Sequence, residues 1–206
     1  TQYLDNTDPV QGTFGTGTST NDSTPGLIIP APAAGETPKL YVDGAAVAAT
    51  YDAATGTLTP TTALSEGEHK LSYTLTDAAG NESDPSPALT LTVDTQAPDA
   101  PVVNPANTHD PITGTAEAGS TVSVSYPDGQ GGTTTVTTTA DADGHWSVPN
   151  PGLKDGDEVT ATATDAAGNV SQPGNTVIDG TAPTAPAAPT QYLDNTDPVQ
   201  GTFGTG

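Results

Sequence analysis

Residues 1–17, TQYLDNTDPVQGTFGTG, recur without a single change at 190–206. Chance does not produce such a match, and identical segments at a fixed offset mark a chain assembled from repeated structural units. The offset, 190 minus 1, is 189 residues, so the chain covers one full period and enters the next. A looser similarity divides that period. TDAAGN at 76–81 returns at 164–169, VDTQAP at 93–98 returns as IDGTAP at 178–183, and DPVQGT at 8–13 returns as DPITGT at 110–115. These matches predict two related domains, 1–95 and 96–181, then a linker and the start of the next repeat over 182–206. The absence of Met, at position 1 as elsewhere, predicts a segment of a longer chain.

Inside each domain the apolar residues alternate with Thr and Ser, as in TVSVSY (121–126), TTTVTTT (133–139) and VTATAT (159–164). Period-two alternation of β-branched residues is the pattern of half-buried strands. Turn clusters interrupt these runs about every ten residues, among them Pro127-Asp128-Gly129, Asp141-Ala142-Asp143-Gly144 and Asp165-Ala166-Ala167-Gly168-Asn169. No stretch carries a 3.6-residue period with caps. The expectation is all-β: tandem antiparallel β-sandwiches of Ig-like type, about seven strands each.

Charge narrows the function. The chain has 25 acidic and 3 basic residues, a formal net charge of −22. A surface of one sign cannot neutralise phosphates or anionic lipid heads, which excludes nucleic acid and disfavours membrane surfaces. No run is long and apolar enough to span a bilayer. Hydrophobic residues make up 32 % of the chain and aromatics 4 %, so each core is lean and calls for an added staple. With no Cys it cannot be a disulfide; a hard divalent cation among so many carboxylates is the simplest substitute.

TDAAGN, VDTQAP and ADADGHWSVP (140–149) resemble the bacterial Ig-like extender repeats of giant type-I-secreted RTX adhesins and biofilm-associated proteins, and the resemblance covers essentially the whole chain. It implies a stalk at the bacterial cell surface, extracellular and non-enzymatic. Its partners would be neighbouring repeats of the same chain and calcium ions at or near the joints, in a monomeric extended chain. The GGxGxDxUx secretion repeats and any recognisable sugar- or ice-binding module are missing, so the resemblance implies stalk and not tip.

In a seven-strand sandwich the linker leaving one domain passes between its own E–F loop and the F–G loop of the next. This placement predicts that Asp94 converges with Glu66 or Glu68 behind it and Asp165 ahead, offering Ca2+ ligands from three loops. Asp5 and Asn6 are expected at the far end beside Asp77, and Asn21 and Asp22 near Asp94. Asp179 is expected to serve Asp194 and Asn195 of the next period. Each residue also has a plainer role. Asp77 and Asp165, followed by Ala-Ala-Gly-Asn, suit an Asx-type hairpin turn; Asp94 and Asp179 suit solvated linker charges; Glu66, Glu68, Asp155 and Asp157 suit tight turns. Asp141 and Asp143 imitate an EF-hand start, but Gly152 stands where the closing Glu belongs, so that segment reads as a hairpin.

Enzyme chemistry finds no footing. His69, His109 and His145 are scattered and read as surface residues, and no thiol or zinc-ligand spacing exists. Trp146 reads as the largest core residue of its domain. The leading function is a mechanical spacer; the alternatives are a ligand-binding module for carbohydrate, ice or a cell surface, with the Thr-rich strand at 133–139 a candidate hydroxyl array for ice, and an accessory domain of a polysaccharide-acting enzyme.

Overall fold

The computed structural model describes residues 1–194 and 201–204 and contains only strands, turns and loops among them. The first domain has ten strands: β1 (Gln2–Asp5), β2 (Gly12–Gly15), β3 (Thr18–Thr20), β4 (Gly26–Ile28), β5 (Thr37–Val42), β6 (Ala45–Val47), β7 (Ala49–Asp52), β8 (Thr57–Pro60), β9 (Gly67–Thr76) and β10 (Leu89–Val93). They form two five-stranded sheets in the orders β2-β1-β4-β8-β7 and β3-β10-β9-β5-β6. The second domain has the expected seven: β11 (Val102–Val103), β12 (Ile112–Thr115), β13 (Thr121–Pro127), β14 (Thr133–Thr139), β15 (His145–Val148), β16 (Glu158–Thr164) and β17 (Gly174–Val177). Its sheets are β11-β12-β15 and β14-β13-β16-β17. A final hairpin, β18 (Gln191–Asp194) with β19 (Gly201–Gly204), repeats the β1–β2 pairing in the next period.

The first domain exceeds the expected count because its chain twice changes sheets in mid-run. β2 belongs to one sheet and β3, two residues later, to the other, where it lies parallel to β10. Likewise β6 closes a hairpin on β5, and β7 continues into the opposite sheet beside β8. These breaks are short, Thr16-Gly17 in the first and Ala48 alone in the second, and do not read as the end of a strand.

Two-residue alternation becomes burial as a pleated strand requires. Along β16 the odd members Val159, Ala161 and Ala163 are buried, as are Val122, Val124 and Tyr126 along β13. Each domain has its own core. Tyr3, Leu27, Leu40, Leu58, Leu71, Leu89 and Leu91 build the first; Ile112, Val122, Val124, Trp146, Val159 and Ile178 build the second. Trp146 is 3 % exposed, in the core as expected, with its indole N–H unpartnered. The 133–139 strand lies on a sheet edge with most side chains exposed.

Trp146 reaches its place over a glycine. A Cβ added to Gly114 would lie 2.0 Å from the Val102 carbonyl oxygen and 2.4 Å from Trp146 Cζ2, so the indole and strand β11 both require its absence. Gly114→Ala should therefore destabilise the second domain by more than about 2 kcal/mol, a fall in melting temperature of roughly 10 °C. Trp146 is the sole tryptophan, so its fluorescence reports that domain alone; calorimetry should show the first domain's transition unmoved.

Candidate functional site at the domain joint

The exit end of the first domain is made by four segments: residues 5–11, 20–24, 64–67 and the linker from 94. Their mutual bonds are mostly from backbone to carboxylate or carbonyl. Leu64 N–H donates to the Ser23 carbonyl at 2.8 Å and Asp94 N–H to the Thr20 carbonyl at 2.9 Å. Thr20 sits between two acids: its hydroxyl donates to Asp5 Oδ2 at 2.6 Å and accepts the Asp22 N–H at 3.0 Å. Asp22 in turn accepts the Asn6 N–H on Oδ2 and the Thr24 N–H on Oδ1. Both carboxylates are 2 % exposed.

Asp5 and Asn6 are thus at the joint with Asp22 and Asp94, not beside Asp77 as the sequence led us to expect. Strand direction is the reason: β1 runs toward the exit, pairing Asp5 with Gly12, while β9 runs the opposite way and carries Asp77 to the far tip. The side chains of Asp194 and Asn195, named for the next joint, lie outside the described residues.

Of the carboxylates expected to converge from three loops, Glu66 reaches the linker at Thr95, while Asp94 and Asp165 each close their own turn. Asp94 Oδ1 accepts the Gln96 N–H at 3.1 Å. Glu66 accepts both the N–H and the hydroxyl of Thr95. Asp165 Oδ1 accepts the N–H groups of Ala167 and Asn169, and its Oδ2 the Asn169 side-chain amide. Asp77 repeats that pattern with Ala79 and Asn81, and these bonds, Asn81's foremost, hold its carboxyl below the usual range. Glu68 is exposed on β9, opposite Thr92. Asp179 Oδ1 accepts the Thr181 N–H as Asp94 accepts that of Gln96.

What crosses the joint is a side-chain amide. Asn169 Nδ2 donates to the main-chain carbonyl of Asp94 at 2.8 Å, so the F–G turn of the second domain grips the linker leaving the first. Next to it Gly168, at φ +97°, faces Val10; an added Cβ would lie 3.0 Å from Val10 Cγ2. Asn169 is 9 % exposed, and Ala167, Pro98 and Pro101 are buried as well. Asn169 was not among the site residues the sequence singled out, although both TDAAGN copies display this amide.

The exit loop is set by a histidine the sequence placed on the surface. His69 is 8 % exposed, its Nδ1 2.8 Å from Asp43 Oδ2 and its Nε2 2.8 Å from the Ser65 carbonyl. Its position on β9 alternates inward with Leu71, which composition alone could not show. Two acceptors on two ring nitrogens fit the imidazolium, which donates from both. Burial pulls the His69 pKa down, but the Asp43 carboxylate and the Ser65 carbonyl together raise it above 6.5. Asp43 is lowered by the same contact and by the Lys70 N–H.

Among the described residues no three His, Asp or Glu side chains stand close enough to hold a metal ion. The residues that could hold a hard cation here are Asp5 and Asp22, two buried carboxylates, with Asn21 beside Asp22 in the chain and the Asn21 Oδ1 buried without a hydrogen-bond partner. All the donors are oxygen, which suits calcium better than a transition metal.

Comparison with known proteins agrees with the architecture. Residues 8–95 match the family described as bacterial Ig-like domain, and residues 97–180 the family described as bacterial Ig domain. No curated protein sequence matches. Among solved structures, the fibronectin(III)-like modules of Clostridium thermocellum CbhA share 15 % identity over 81 % of this chain and 90 % of theirs, with a TM-score of 0.50, a likeness of fold. A tetra-tandem repeat from the extending region of a large adhesion protein shares 25 % identity over 95 % of this chain and 58 % of its own, with a TM-score of 0.36. A biofilm-associated protein's BSP domain shares 22 % over 81 % and 29 %, also at 0.36.

The His69 geometry predicts a pH dependence confined to the first domain. A folded pKa above the unfolded 6.5 gives stability that is complete below pH 6.5 and lost as pH rises through the folded value. Asp43, lowered from 3.8, acts in the opposite sense and is lost only in acid. Calorimetry from pH 5.5 to 8.5 should show the first domain's melting temperature fall across the upper half of that range, and His69→Gln should flatten the slope. From 8–95 and 97–180 alike, the chain belongs to the bacterial Ig-like domains and carries two of them in tandem.

Proposed function

We propose that this chain is a structural extender, the stalk of a bacterial surface adhesin, whose work is to hold distal binding domains away from the cell for adhesion and biofilm formation. The observation that carries the reading is the joint. A linker whose carbonyl is held by the next domain's amide, with Pro98 and Pro101 buried beyond it, makes two sandwiches into one longer body. Unchanged repetition of residues 1–17 at a 189-residue offset adds reach copy by copy, which profits a spacer and does nothing for a single catalytic or binding pocket. The compartment that follows is extracellular, at the bacterial surface, and the chain acts as a monomer whose neighbours are its own repeats.

Calcium is the counter-ion this function calls for. Twenty-two net negative charges repel along an array, and an ion that binds only the folded state stabilises it by mass action. Asp5 and Asp22, with Asn21 Oδ1, would hold it at the exit end, where the linker begins. Asp77, Asp94, Asp165 and Asp179 then act through turns, shaping the joint without ligating the ion.

With calcium well above its dissociation constant the first domain should melt higher by roughly 10 °C than in chelator, and magnesium should substitute poorly because it keeps its waters. Small-angle scattering should show a longer maximum dimension in calcium. Asp22→Ala should lose most of the calcium response, whereas Asp94→Ala should keep it. Identical melting curves and dimensions in calcium and chelator would sink the calcium part of the proposal.

A further inference from the structure

The joint has a delivering half and a receiving half, and the chain carries each of them twice. The delivering half is the linker exit. At the first exit the N–H groups of Asp94, Thr95 and Gln96 donate in turn to the Thr20 carbonyl, the Glu66 carboxylate and Asp94 Oδ1. At the second exit Asp179, Gly180 and Thr181 donate to the Ala106 carbonyl, Asp155 Oδ1 and Asp179 Oδ1, at 2.9, 2.8 and 2.9 Å. Three consecutive bonds therefore fix both linkers in the same pose. Proline follows at the same spacing, Pro98 after Asp94 and Pro183 after Asp179.

The receiving halves also match bond for bond. In each, the Asp N–H donates to the Asn carbonyl, the Gly N–H to the Asp carbonyl and a Ser N–H back to the strand: Asp77, Gly80 and Ser83 in one, Asp165, Gly168 and Ser171 in the other. In each the Asn side-chain amide donates one N–H to the Asp carboxylate. They differ in the second N–H. That of Asn169 is taken by the Asp94 carbonyl, and Ala167, Gly168 and Asn169 are buried. That of Asn81 has no partner among the described residues, and Ala79, Gly80 and Asn81 are exposed.

We infer that Asn81 is the receiver for the preceding repeat: its second N–H donates to the main-chain carbonyl of the preceding unit's Asp179, as Asn169 donates to that of Asp94. The inference rests on the tandem-array reading, since it needs a preceding unit, but not on calcium, because every group in it is already set by the protein. Reach is sufficient. The first linker runs from Asp94 to β11 at Val102 and the second from Asp179 to β18 at Gln191, four residues longer. Its entry is also prepared: Thr1 and Gln2 sit in a groove with Ile29, Pro30, Tyr73 and Pro87. Tyr73 lies three residues below Thr76, which bridges Glu82 next to Asn81. A linker descending from Asn81 to Thr1 crosses this groove, and Pro183 and Pro186 supply apolar cover for it.

A chain of two full periods tests this, because it contains one Asn81 with a preceding linker and one without. Heteronuclear NMR of the side-chain amides should give two Asn81 signals, one at the single-period position and one shifted as Asn169 is, with slowed solvent exchange, in calcium and in chelator alike. Asn81→Ala in the second copy should broaden the spin-label distance distribution across that joint. A single unsplit Asn81 signal alongside a protected Asn169 would overturn the inference, as would a shift seen only in calcium. Scattering of the same chain separates the two readings: an elongated particle without the Asn81 shift sinks this contact alone, and a collapsed particle sinks the extender itself.

Discussion

Aspartate carboxylates accepting backbone N–H groups hold this structure in register. Hydrogen bonds to a charged acceptor are stronger than those to a neutral one, and they recur at several tips where a strand turns back. Asp52 closes the tip between β7 and β8, Asp128 the tip between β13 and β14, and Asp141 the tip before β15. With few apolar side chains per domain, packing alone selects strand register weakly, and a one-residue slip would turn each alternating strand inside out. The carboxylate turns remove that freedom. They also explain how a chain of such negative charge stays compact: much of the charge is spent locally on peptide donors at the ends of the sandwiches, away from the cores.

The same device makes the joint. Linker residues Asp94 and Asp179 each fold the chain into an Asx turn on leaving the last strand, and the pose of that turn decides where the next carbonyl points. The receiving turn is itself shaped by Asp165, whose carboxylate fixes one N–H of Asn169 and so directs the other at the linker. The contact between domains thus comes from two local turns meeting through one hydrogen bond and a close approach at Gly168. Glu82 shows what the acids do elsewhere: taken by Thr74, Tyr41 and Lys39, its carboxyl falls to about 2, and it ties β9 to β5 across the sheet.

Much of this was legible in the sequence, and the misses have physical causes. Alternation in 121–126 and 159–164 became β13 and β16 because period two is dictated by the pleat. The repeats located equivalent turns because Asp-Ala-Ala-Gly-Asn has one good way to close. Sheet changes at β2–β3 and β6–β7 were hidden, since each takes only a break of one or two residues in the pairing. Asp5 was set at the wrong end because the sequence does not print strand direction until partners are known. The burial of His69 was not legible because a lone histidine reveals burial only through its neighbours, here Asp43 in the turn between β5 and β6. The Asn169 contact was not legible because an amide in a turn motif also bonds within the turn, as Asn169 does to Asp165.

At the centre of this account is a joint that orients one sandwich on the next. Residual dipolar couplings measure that orientation directly, domain by domain, in the 206-residue chain. Two domains locked through Asn169 and the Asp94 carbonyl should fit a single alignment tensor, with magnitudes equal in both. Two tensors of different magnitude, each fitting only its own sandwich, would mean that the domains tumble independently and that the chain is a flexible tether and no extender.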